Sequence, residues 1–165
     1  MMFQNMKMGR IKTDPVAYEQ QPQIHRYLAD VPKHLVADAV SYRGATAGKP
    51  IGALGNDKYG CCTCSAIGHI WQVVCANMGT QCPVTEQMVL QWYKAVNPGW
   101  DPTDESTDTG ANMLEVLQYL VRAGVIAAYA TVDFTDAAKF MAANEFFCGT
   151  YCGLELPIGW QTTNV

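Results

Sequence analysis

Three cysteines crowd into four positions, Cys61-Cys62-Thr63-Cys64, after the turn-rich run Leu54-Gly-Asn-Asp-Lys-Tyr-Gly60 and before the apolar helical pattern Ile67, Ile70, Trp71, Val74. A cysteine at such a junction can do nucleophilic chemistry. The first turn of a helix presents unpaired N–H groups and the positive end of the macrodipole, which favour a thiolate over a thiol. Cysteine pKa values there can fall from about 8.5 toward roughly 3.5–7.5. Cys62 lies nearest the predicted helix start, and Asn56, six residues earlier, carries an amide able to donate to a developing oxyanion. Two other chemistries use the same residues, since Cys61-x-x-Cys64 has the spacing of half a zinc ribbon or of a redox pair. The only other close pair, Cys148 and Cys152, is strand-like without a glycine knuckle, and Ser41 to Gly60 reads as loop where a thioredoxin-like site follows a strand. The plainest reading of the cluster is three structural thiols that fill space.

The spacing from Asn56 to Cys62 resembles that between the oxyanion glutamine and the nucleophilic cysteine of papain-like cysteine peptidases, in which the cysteine also opens a long helix. The likeness is closer to papain-like proteins of phages and prophages with a Gly-Asn-Asp-x-x-Gly-Asp-Cys-Thr-Cys-Ala-Ala-x-x-His signature. Here it reads Gly55-Asn56-Asp57-Lys58-Tyr59-Gly60-Cys61-Cys62-Thr63-Cys64-Ser65-Ala66-Ile67-Gly68-His69, with Cys61 in place of the usual aspartate. Met8-Gly-Arg-Ile-Lys-Thr-Asp-Pro15, Pro98-Gly-Trp-Asp-Pro102, Asp108-Thr-Gly110 and Gly149-Thr-Tyr-Cys-Gly-Leu-Glu-Leu-Pro157 agree in order, so the resemblance covers essentially the whole chain.

This resemblance implies an α+β fold: a helix-dominated papain-like half with a long nucleophile-bearing helix and a few C-terminal strands. It implies Cys62 as nucleophile and Asn56 in the oxyanion hole, acting on a peptide or protein substrate without cofactor or metal. The family's catalytic histidine stands in a later Gly-Gly-His segment that does not occur up to Val165, so the base is expected from outside this sequence. Cysteine peptidase-like activity depends on that histidine. The alternative is a catalytically inactive papain-like scaffold serving as a phage structural or accessory protein, with other copies or other virion proteins as partners.

The histidines within the sequence do not replace it. His69 follows Cys62 by seven residues on one predicted helix, about 10.5 Å along the axis, too far to hydrogen-bond the thiol. It reads as a core-facing residue with one structural partner. His25 and His34 lie in an irregular stretch with no base signature.

The elements that must position these groups follow from periodicity and breakers. Residues 1–50 contain Pro15, Pro22, Pro32 and Pro50, and read as an extended N-terminal arm with a short helical piece near His25 to Leu28, packed on the body. Residues 51–165 read as the papain-like helical subdomain with the first strands of the second half. Helices are expected from Cys62 to Asn77, from just after the cap Thr85 to Val96, and from Ala111 to Ala123. Val125 to Phe134 reads as a strand, Thr135 to Ala143 as a short helix capped by Thr135, and Phe146 to Leu156 as a second strand. Asp101 to Gly110 lacks the spacing of a calcium loop and reads as solvated. Trp71, Trp92, Tyr93 and Tyr119 fall at core spacings, whereas Trp100 sits in a loop, free for a substrate.

The 165 residues are 49% hydrophobic and 16% charged, enough apolar material for one globular domain. A net charge of −4 argues against electrostatic affinity for nucleic acid. The apolar runs fall short of the roughly 18–20 residues that cross a bilayer, and Met1 to Lys12 lacks a signal-peptide core. A soluble product is expected, cytoplasmic in a bacterial host or part of a virion. Its seven cysteines, without an export signal, are expected to be reduced.

Overall fold

The computed structural model describes residues 10–24, 41–49, 51–147 and 149–153. Helices dominate: α1 (Pro15–Glu19), α2 (Cys62–Asn77), α3 (Glu86–Val96), α4 (Met113–Arg122) and α5 (Ala137–Phe146). The sheet is two short parallel strands, β1 (Arg10–Ile11) and β2 (Ala111–Asn112), with Arg10 opposite Ala111 and Ile11 opposite Asn112.

Each long helix starts and stops where its sequence allows. Thr85 Oγ1 accepts the Met88 N–H at 3.3 Å and Asn112 Oδ1 accepts the Leu114 N–H at 2.8 Å, so α3 and α4 have side-chain caps. Gly79 at φ +67° ends α2 and Gly124 at φ +69° ends α4, in the left-handed region where a side chain is costly. The helices bury one continuous core. Val89 and Tyr93 of α3, Val116 and Leu120 of α4, and Cys64 of α2 are fully buried, and α2, α3 and α4 each pack on the other two.

The N-terminal residues are tied to this body at separate points. Besides the β1–β2 pairing, Thr13 donates its hydroxyl to Asn112 Oδ1 at 3.0 Å, and Ile24 N–H and Thr131 N–H cross-bond at 2.8 Å to Thr131 O and Pro22 O. A 3₁₀ turn at Arg43–Thr46 packs on α2, and Asn77 Nδ2 donates to the Tyr42 carbonyl at 3.0 Å.

Several elements differ from the sequence expectation. Val125 to Phe134 is not a strand: the Val125 and Ile126 N–H groups turn back to the Leu120 carbonyl, at 2.9 and 3.3 Å, and close α4. Of that run only Thr131 pairs, in a single parallel bridge to Gln23. The short helix after it starts at Ala137, because Asp136 Oδ1 accepts the Lys139 N–H while Thr135 is held by Asp133. Phe146 belongs to α5 and residues 149–153 are irregular, so the described part of the second expected strand is not one; Cys148 and residues 154–156 lie outside the described residues. Ala111 and Asn112 form β2 rather than the first turn of α4. The helical piece near His25 to Leu28 also lies outside the described residues, whereas α1 has its signal in Asp14-Pro15, an N-cap followed by proline at the first helical position.

Candidate functional site

The three clustered cysteines divide by position. Cys62 is the first residue of α2 and half-buried; Cys61, the N-cap residue, and Cys64 are both 0% exposed. Cys61 Sγ lies 3.4 Å from Ser65 Oγ and 3.8 Å from the Leu54 carbonyl. Burial pushes the Cys61 thiol up to about 11, against a smaller lowering by the Ser65 hydroxyl. Burial and then the neighbouring Cys61 push Cys64 up to about 12. Both are neutral thiols across the physiological range.

The loop before them is held by strain and by close contact. Leu54 has φ +52°, unusual for a branched residue, and its carbonyl accepts the Ser65 hydroxyl at 3.2 Å. Gly55 follows at φ +85°, where a Cβ would meet Leu90 Cδ2 at 2.9 Å. Leu54 also presses on α2 at Gly68, where a Cβ would lie 2.6 Å from Leu54 Cδ1. Asn56, the expected oxyanion donor, sits in the resulting turn with its N–H on the Ala53 carbonyl at 3.1 Å. Its Oδ1 is buried and meets no donor among the described residues.

The far end of the loop is fixed by a carboxylate that sequence inspection left in the solvated loop. Asp108 accepts the Gly60 N–H at 2.8 Å and the Tyr93 hydroxyl at 2.5 Å. That hydroxyl in turn accepts the Gly110 N–H at 3.0 Å and Asn97 Nδ2 at 3.2 Å. Burial first, then the bond to Asp108, raise the Tyr93 pKa above its ordinary value, so the phenol stays a donor. Trp100, read from sequence as free for substrate, is instead 4% exposed. It stands edge-on to Tyr59 and Tyr93, with ring centroids 5.0 and 4.9 Å away, and Lys94 donates to its carbonyl. Flanking Gly99 and Asp101 concealed that burial, which depends on aromatic partners on the loop and on α3.

Other residues are spent on structure. His69 Nδ1 bonds Gln72 Oε1 at 2.9 Å, and Gln72 Nε2 donates to the Ile51 carbonyl at 2.9 Å, so the imidazole is tied sideways to α2 and its approach. His25 and His34 lie outside the described residues. Asp101 accepts the N–H and hydroxyl of Thr103 at 2.8 and 2.7 Å, bonds that hold its carboxyl below the usual carboxylate range. Asp104 accepts the N–H and hydroxyl of Ser106, at 3.0 and 2.7 Å. Among the described residues no three His, Cys, Asp or Glu side chains are placed together so as to hold a metal ion. Tyr151, which sequence reading missed, donates its hydroxyl to the Thr63 carbonyl at 2.9 Å and so brings the C-terminal segment to the first turn of α2. Nothing in the spacing of Tyr151 signals a partner 88 residues away.

An open groove of about 790 Å³ runs beside Tyr59 and Trp100, walled by Leu90, Gln91, Lys94 and Pro102. A second hollow of about 620 Å³ adjoins it above Asp57 and Asp101. Cys62 lines neither. Among the described residues no helix is long and apolar enough to cross a membrane. No family model, curated protein or solved structure matches the chain.

Proposed function

We propose that this chain carries a papain-like thiol hydrolase site that cleaves a peptide or amide bond, with Cys62 as nucleophile and Asn56 as oxyanion donor. The observation that carries the reading is the division among the cysteines: Cys61 and Cys64 are sealed in the core, while Cys62 opens α2 with part of its surface in solvent. A thiolate there has the helix N-terminus behind it. The strained Leu54-Gly55 turn agrees with this, since strain of that kind gathers at functional loops.

In the proposed reaction the Cys62 thiolate attacks the carbonyl carbon and a C–S bond forms. The oxyanion takes hydrogen bonds from the Cys62 N–H and the Asn56 amide. The C–N bond then breaks as the leaving amine takes a proton from an imidazolium, and water hydrolyses the thioester. This reading draws its histidine from outside the described residues, because His69 is engaged with Gln72. One observation favours a second reading, a papain-like scaffold without catalysis in a phage particle: Cys62 lines neither groove.

The rate of alkylation of Cys62 by iodoacetamide between about pH 5 and 9 separates the two, read by peptide mass spectrometry against the other six cysteines. Fast labelling that persists below about pH 7 is expected for the hydrolase. Labelling that titrates like an ordinary thiol near about 8.5 removes the hydrolase and leaves the scaffold.

A further inference from the structure

Tyr59, Trp100, Asp101 and Pro102 line both the groove and the hollow beside it, so the two form one cleft with two characters. The groove side rests on α3, where Gln87, Leu90, Gln91 and Lys94 recur at i, i+3, i+4 and i+7 and so share one face. The hollow side is acidic: Asp57, Asp101, Asp104, Glu105 and Asp108 line it with one cation, Lys58. Lys58 pairs at 3.8 Å with Glu86 of the groove, and Lys94 donates to the Trp100 carbonyl, so both lysines of the cleft already answer other groups. At the seam stands Trp100, 4% exposed, whose indole N–H is buried and meets no acceptor among the described residues. A buried donor left open in the wall of a cleft points to an oxygen that arrives from outside the chain.

We propose that this cleft binds an extended peptide segment in which a basic residue stands beside an apolar one. The arginine or lysine enters the acidic hollow against Tyr59, whose ring face attracts a cation. The apolar neighbour lies in the groove along Leu90 and Pro102, and a backbone carbonyl of the segment accepts the Trp100 indole N–H. Gln87 and Gln91 bring side-chain amides, which donate and accept as a peptide backbone does. Volumes of about 790 and 620 Å³ are those of ligand sites.

Charge selects the class of ligand. A phosphorylated or acidic ligand would meet the carboxylates of the hollow and be repelled. No three of those carboxylates are placed together so as to hold a metal ion, and such a spread suits a guanidinium or ammonium group held through several hydrogen bonds. Cys62 lines neither part of the cleft, so binding here requires no cleavage and the inference does not rest on the hydrolase reading.

The test titrates the isotope-labelled full chain with the end-blocked peptide Ala-Ala-Arg-Leu-Ala-Ala and follows the indole N–H signals of the four tryptophans by NMR. The Trp100 signal is expected to move downfield and saturate. Exchanging the peptide's arginine for glutamate is expected to weaken binding by more than about tenfold, and exchanging its leucine for serine by about three- to tenfold. Asp57→Asn together with Glu105→Gln is expected to weaken it by about three- to tenfold, whereas Glu115→Gln, on α4 and lining neither part of the cleft, leaves it unchanged. No binding of the arginine peptide at millimolar concentration, equal binding of the glutamate peptide, or saturable binding that leaves the Trp100 signal in place would overturn the proposal. The wild-type titrations alone decide this, whether or not the variants fold. Mass spectrometry of the recovered peptide scores cleavage separately, so loss of the hydrolase reading would leave the binding result standing.

Discussion

Cys61, the residue just before α2, has surroundings that suit a neutral thiol. The side chain is wholly buried between the Leu54 carbonyl and Ser65, a site where an unpaired carboxylate would lose its hydration. Iodoacetamide at neutral pH is accordingly expected to spare Cys61 and Cys64 in the folded chain and to reach them only after denaturation; their labelling at the rate of Cys152 would contradict the burial. The raised thiols also set a pH dependence. Folded Cys61 and Cys64 keep their protons up to about 11 and about 12, whereas in the unfolded chain both titrate as ordinary thiols, at about 8.5. Above that pH the unfolded state binds fewer protons, so stability is full below about pH 8.5 and falls as pH rises through the folded values. Urea midpoints taken from pH 7 upward check the sign, and the decline is expected to be shallower in Cys64→Ala. Tyr93→Phe is expected to cost about 1–3 kcal/mol, because it strands the buried Gly110 N–H. In a hydrolase, Asn56→Ala would lower turnover by about 10²–10³-fold with the fold intact, as for other single oxyanion donors. At this scale the position of Cys62 was legible from the turn residues that precede it. The burial of Cys61 and Trp100 was not, since it comes from Leu54, Ser65, Tyr59 and Tyr93 meeting in space.

The helices were legible where pattern and cap agree. Apolar residues recur at helical spacing through α2, α3 and α4, and Thr85, Gly79 and Gly124 mark the bounds locally. Thr85→Ala is expected to lower stability by about 1 kcal/mol, measured as a shift in urea midpoint without a change of slope. The strand expectation over 125–134 failed because β-branched content states a preference for a pleated, half-buried surface and supplies no partner strand. Here those residues close α4 instead, through the Leu120 carbonyl. The contact between the Leu54 loop and α2 leads to a sharper test. Gly68→Ala puts a methyl 2.6 Å from Leu54 Cδ1 and 3.2 Å from Val89 Cγ2. Leu54 is held by its own carbonyl bond and Val89 is fully buried, so neither yields freely. A loss of about 1–3 kcal/mol is expected, with Cys61 becoming more reactive toward alkylation as the loop lifts. Unchanged stability would show that the loop does not rest on that helix.

For the whole molecule, long-range ties decide the arrangement, and they were the part of the chain least legible beforehand. Thr13 meets Asn112, Gln23 meets Thr131, Gly60 meets Asp108 and Tyr151 meets Thr63, each a local polar tie of one to three hydrogen bonds without periodicity. A chain lacking residues 1–13 loses β1 and the Thr13 bond to the cap of α4, and is expected to be less stable by roughly 1–3 kcal/mol while keeping its helical circular dichroism. The Asp108 tie also orders events while the chain is made. Gly60 leaves the ribosome 48 residues before the carboxylate that will hold it, a gap of roughly 2–10 s at ordinary rates of synthesis. For those seconds Cys62 is carried on a nascent chain whose loop lacks its Asp108 tie, and the Tyr151 contact to the first turn of α2 follows later still.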